Sequence, residues 1–146
     1  MSMTLPLRTI AAAAIFFSAA TTAESGESGF IGYMTKLQYF SHKLGLAIDS
    51  GNKDLQNFYA HEVEEQIEAL TAIEKLDDIA VSKLLAQFLV PKFEILEDAV
   101  KAGDPTAVNT AYDGMLQSCN DCHRASQRPY IEVERQTHNP YMQSFK

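Results

Sequence analysis

Four stretches of this chain repeat apolar residues at alternating steps of three and four, and each ends on residues that stop a helix. In the first, Phe30, Met34, Leu37, Ser41, Leu44 and Ile48 form one stripe, closed by Asp49-Ser50-Gly51-Asn52 with Gly51 as the left-handed stop. The second runs from about Lys53 to Lys75 and turns Leu55, Tyr59, Val63, Ile67, Leu70 and Ile73 inward. The third, from about Asp78 to Ala102, buries Val81, Leu84, Leu85, Phe88, Ile95, Leu96 and Ala99, with a kink expected at Pro91. Gly103 ends it. Asp104-Pro105 then reads as an N-cap followed by proline in the first turn. The fourth helix carries Val108, Ala111, Tyr112, Met115 and Leu116 towards a limit at Pro129. Short connections between long helices make antiparallel neighbours, so the fold expected is all-α, an antiparallel up-down-up-down four-helix bundle. Ile131 to Arg135 alternates apolar and polar residues but has no partner strand. The extension from about residue 129 is either packed across the bundle or a loose end.

The fourth stretch runs into Cys119-Asn120-Asp121-Cys122-His123, which holds both cysteines of the chain. C-x-x-C-H is the attachment signature of c-type haem. Each sulfur forms a thioether with a haem vinyl group, and the histidine gives an imidazole nitrogen to the iron. On a helix the three residues fall at i, i+3 and i+4 and share one face. A redox disulfide would ask for a βαβ setting, and a zinc site for four ligands, with no second C-x-x-C or H-x-x-x-H available. The expected cofactor is therefore one covalently bound haem c at the C-terminal end of the fourth helix.

The N-terminus agrees with that chemistry. Arg8 precedes a short apolar run, Ile10 to Ala20, followed by small residues that offer cleavage after Ala20 or Ala23. This is the pattern of a secretory signal peptide over residues 1–23, the alternative being an anchor that is short for a bilayer. Residues 24–146 then make one domain of about 120 residues. Haem is attached outside the cytoplasmic membrane, so a periplasmic location is expected, with no stable membrane association after cleavage. The formal charge of −7 argues against nucleic acid or anionic lipid as partner and is compatible with a basic redox protein.

A haem motif near the end of the last helix of a bundle resembles cytochrome c′ and its low-spin relatives, in layout over the whole mature domain and in residues at Cys119, Cys122 and His123. The resemblance implies a haem held in the bundle, His123 as proximal ligand, and the first helix against the opposite haem face. It also implies a tendency to dimerise through the first two helices. Where the family places an aromatic and a basic residue three and four positions after the histidine, this chain has Ser126 and Gln127, which marks a divergent member.

Matching antiparallel helices by height sets Cys119–His123 opposite residues of about 33 to 37. Met34 and Leu37 thus line the distal haem face, and Met34 is the candidate sixth ligand, with simple packing as the alternative. Tyr33 and Tyr112 are secondary pocket residues, and His138 and Met142 are ligands only if the tail folds back. Met115, one turn before Cys119, stays on the proximal side. Arg124 and Arg128 are candidates for the haem propionates. His42, His61 and Glu65 form a weaker constellation for zinc or copper if helices one and two align about Gly51. The leading expectation is a one-electron carrier rather than an enzyme. Binding of nitric oxide or carbon monoxide at an open iron is the alternative, and metal handling by the histidine pair the third.

Overall fold

A computed structural model describes residues 26–146; residues 1–23, where a signal peptide is expected, lie outside the described residues. Five helices follow one another: α1 (Gly26–Ser50), α2 (Lys53–Thr71), α3 (Val81–Phe88), α4 (Val90–Ala102) and α5 (Pro105–Ala125). The described residues contain no strand, and none of their helices is long and apolar enough to cross a membrane.

The punctuation works as local chemistry requires. Gly51 sits at φ +69° and lets Asn52 N–H return to the Ala47 carbonyl at 3.1 Å, while the Asn52 side chain accepts from Leu55 N–H and opens α2. Gly103 takes φ +73°, and Asp104 then caps α5 by accepting from Thr106 N–H at 2.9 Å. The third expected helix is two. It breaks at Leu89, and Pro91, which has no N–H to offer the preceding turn, lies in the first turn of α4. It also starts late: Leu76 and Ile79 exchange both backbone hydrogen bonds around Asp77 at φ +50°, so α2 stops at Thr71 rather than Lys75.

Hydrophobic burial, the main favourable term, follows the stripes closely. Leu37, Leu44, Ile48, Tyr59, Val63, Ile67, Leu70, Val81, Leu85, Leu96 and Met115 are buried, with Phe30, Met34 and Leu55 half-covered against them. Ile95 is the exception, exposed because the break at Leu89 turns α4 so that Phe93 and Leu96 face inward instead.

Contacts fix the register of the helices. Lys43 reaches Tyr59, and the Gln56 amide reaches the Ala47 carbonyl, so α1 and α2 pass each other in opposite residue order. The Tyr112 hydroxyl donates to the Ser41 carbonyl at 2.9 Å, and Arg135 ties Asp49 to Asn109, so α5 also runs opposite to α1. Residues 129–146 are not helical, yet they pack. This segment doubles back along α5 and then crosses to α1 and α2, where Phe145 is buried.

Candidate haem-attachment site

Cys119, Cys122 and His123 lie on the last two turns of α5. Both thiols are free, Cys122 buried and Cys119 partly so. Burial, reinforced by the neighbouring Cys122, pushes the Cys119 thiol up to about 12. A disulfide-exchange cysteine needs the opposite, a thiolate favoured near neutral pH.

The imidazole of His123 is held in one tautomer. Its Nδ1 lies 2.9 Å from the Ile131 carbonyl oxygen, which can only accept, so Nδ1 is the donor and, of the two neutral tautomers, the bond selects the one with its lone pair on Nε2. The turn that brings Ile131 there is a helix stop with Gln127 at φ +61°. Arg128 N–H returns to the His123 carbonyl at 2.8 Å, and Gln127 N–H to that of Arg124 at 3.0 Å.

Carried along at equal rise, the α1–α5 register sets Met34 and Leu37 level with the motif. Leu37 is buried, and Met34 and Tyr33 are partly covered by the core. The α1–α2 register puts Gln66 at the same level. Its Oε1 is the one buried side-chain polar atom without a hydrogen-bond partner among the described residues. An amide unpaired in this way costs about 1–3 kcal/mol, so this layer is more polar than a close-packed apolar core. Its polarity, the two free thiols and the poised Nε2 fit a covalently held haem with an axial imidazole.

The other candidates fall elsewhere. Arg124 pairs with Asp121, and Arg128 donates to the Ser126 carbonyl. Arg128 also lines an open cleft of about 680 Å³ between α3, the loop before it and the end of α5, with Asp77, Lys83, Gln127 and Tyr130. Tyr112 is a structural residue, bonded to the Ser41 carbonyl, and Met115 is fully buried. Met142 is fully exposed, and His138 contributes its carbonyl rather than its ring.

The structure does not assemble His42, His61 and Glu65. Both ring nitrogens of His42 are taken by the C-terminal segment, Nε2 by the His138 carbonyl at 3.1 Å and Nδ1 by the Tyr141 hydroxyl at 3.0 Å. His61 instead edges a groove between α2 and α4, beside Glu64 and Glu65. Among the described residues no three His, Cys, Asp or Glu side chains are grouped to hold a metal ion.

Two residues that order the C-terminal segment carried no motif, one at the site and one farther along α1. Asn120, an unspecified position inside C-x-x-C-H, exchanges two hydrogen bonds with the Val133 backbone. Lys43 is buried among the rings of Tyr39, Tyr59 and Tyr141 and donates to Gln143 at 3.0 Å. Only the alternation from Ile131 to Arg135 signalled this packing, since it describes an extended segment with one covered side. Comparison of the chain with protein-family models, curated proteins and solved structures yields no match.

Proposed function

We propose that the chain is a monohaem c-type cytochrome of the periplasm. In this reading Cys119 and Cys122 would hold the haem as thioethers, His123 would supply Nε2 to the iron, and the protein would carry single electrons. The observation that supports it most is the Nδ1–H of His123 on the Ile131 carbonyl. A free imidazole gains nothing from such a bond in particular, whereas a metal-binding one is oriented and made more basic by it.

Bound haem supplies the Fe(III)/Fe(II) couple. Of the chain's own residues, Cys119 and Cys122 would hold the haem, His123 would offer Nε2 to the iron, and Leu37 with Met34 would cover the level opposite. The helices, with α3 and α4 counted as one broken helix, make an up-down-up-down bundle of the cytochrome c′ kind. Met34 would be the candidate for a second protein ligand to the iron, with simple packing as the alternative.

The absorption spectrum of matured protein, oxidised and reduced, with and without carbon monoxide, tests this. A low-spin spectrum that ignores carbon monoxide and becomes high-spin in Met34→Ala is the expected result. A high-spin spectrum that shifts with carbon monoxide would replace electron transfer by binding of a small gas. No haem band after expression with competent maturation machinery would overturn the reading, and so would covalent haem retained in a Cys119→Ala, Cys122→Ala double variant.

A further inference from the structure

We propose that residues 131–135 act as a strap that positions His123, and that Asn120 is the positioning residue that sets the strap's register; this rests on the cytochrome reading above. The strap is pinned at three heights along α5. Ile131 offers its carbonyl to His123 Nδ1 at 2.9 Å. Two residues on, the Asn120 carboxamide acts as a peptide group would in a sheet. Its Nδ2 donates to the Val133 carbonyl at 3.0 Å, and its Oδ1 accepts from Val133 N–H at 2.7 Å. Two further on, Arg135 donates to Asp113 at 2.8 Å, to Asn109 at 2.7 Å, and to Asp49 on α1.

The spacing matters because an extended chain turns alternate residues to the same side. Val133 and Arg135 face the helices, while Glu132 and Glu134 are exposed. A slip of one residue would turn the carbonyl away from the imidazole. Ile131 N–H is held on the Arg128 carbonyl at 3.0 Å, and beyond it the two-bond clasp of Asn120 is the contact from α5 that tells donor from acceptor on the strap, since Arg135 is held through its side chain alone. A haem-bound His123 therefore takes its basicity from a carbonyl whose position is set three residues earlier on its own helix. The bond favours the ferric state, because a more basic imidazole stabilises the more highly charged iron.

The test is made on the mature protein with Asn120→Ala and Asn120→Asp. Solvent exchange of the His123 ring N–H and of the Val133 amide is followed by NMR, and the reduction potential by spectroelectrochemistry. In Asn120→Ala both protons should exchange at least about tenfold faster and the potential should rise. Asn120→Asp keeps the acceptor and loses the donor, so Val133 N–H stays protected and the potential falls between the two. A lower melting temperature with unchanged ring-proton exchange and unchanged potential would show Asn120 to be merely structural and overturn the proposal. If Asn120→Ala fails to fold, Asn120→Asp decides by the same two readouts. Protein that matures without haem would defeat the cytochrome reading alone, and the dependence of ring-proton exchange on Asn120 would still decide the strap.

Discussion

Gly45 on α1 is where the packing of α5 can be tested most sharply. A Cβ added there would lie 2.5 Å from the Tyr112 hydroxyl oxygen and 2.9 Å from Cζ, against an ordinary contact of roughly 3.5 Å. Tyr112 has no room to retreat, being only 2 % exposed, and its hydroxyl is committed to the Ser41 carbonyl. Helix propensity alone would make Gly45→Ala stabilising by about 1 kcal/mol. Overpacking costs about 1–3 kcal/mol, and an unpaired buried hydroxyl or carbonyl about 1–3 kcal/mol more. Sterics win, with a net loss of about 1–5 kcal/mol. Guanidinium unfolding of the mature protein, followed by far-UV circular dichroism, should show a lower midpoint at unchanged slope. Gly114→Ala is the control: nothing lies within 4 Å of its added Cβ, so it should gain up to about 1 kcal/mol. In the double variant Gly45→Ala with Tyr112→Phe, the 2.5 Å contact is gone, and the loss should be smaller than the sum of the singles by about 1 kcal/mol. If Gly45→Ala matched or exceeded the wild type in stability, the close approach of α1 and α5 would be wrong.

Other perturbations have defined signs. Burial raises the Tyr112 phenol above its usual value near 10, so the folded state holds its proton longer than the unfolded chain. That contribution is complete below about pH 10 and is lost above it, by up to about 1.4 kcal/mol per pH unit; unfolding series at pH 9 to 11 should fall less steeply in Tyr112→Phe than in the wild type, the remaining slope belonging to other groups that folding raises, such as Tyr141 and Lys43. Gln127→Gly relieves a left-handed residue at φ +61° and should stabilise by about 1 kcal/mol, read as a higher melting temperature. Asp104→Ala removes the α5 cap and should cost about 1 kcal/mol in the same assay. Arg135→Gln, at a partly exposed ion-pair node, should cost about 1 kcal/mol, and less in high salt.

The helices were legible because their information is local. Stripe spacing, Gly51, Gly103 and Asp104-Pro105 each act within a turn or two, and the structure uses each of them as the sequence implies. The break at Leu89 was harder, because proline marks the damage without saying which residue yields, and that choice turned Ile95 outward. The partners of His123 and His42 were not legible. Each is met by backbone carbonyls or by a tyrosine far along the chain, and a carbonyl has no signature in a sequence. His42, His61 and Glu65 were not brought together because His42 is engaged by the His138 carbonyl and the Tyr141 hydroxyl, partners that height matching between two helices does not include.

The strap and the segment beyond it also impose an order in time. Lys43 and Tyr59 are 16 residues apart, and Ala47 and Gln56 only 9, so the α1–α2 hairpin closes over short loops. His42 and the His138 carbonyl are 96 residues apart, and Lys43 and Gln143 are 100. Long loops close at greater entropic cost and form after the local contacts that make them worthwhile. The C-terminal clasp on α1 thus closes the longest loops of the fold, whereas the His123–Ile131 bond spans only eight residues and needs no long loop. In the cytochrome reading, the imidazole is set by a local turn, while the cover over α1 comes from the far end of the chain.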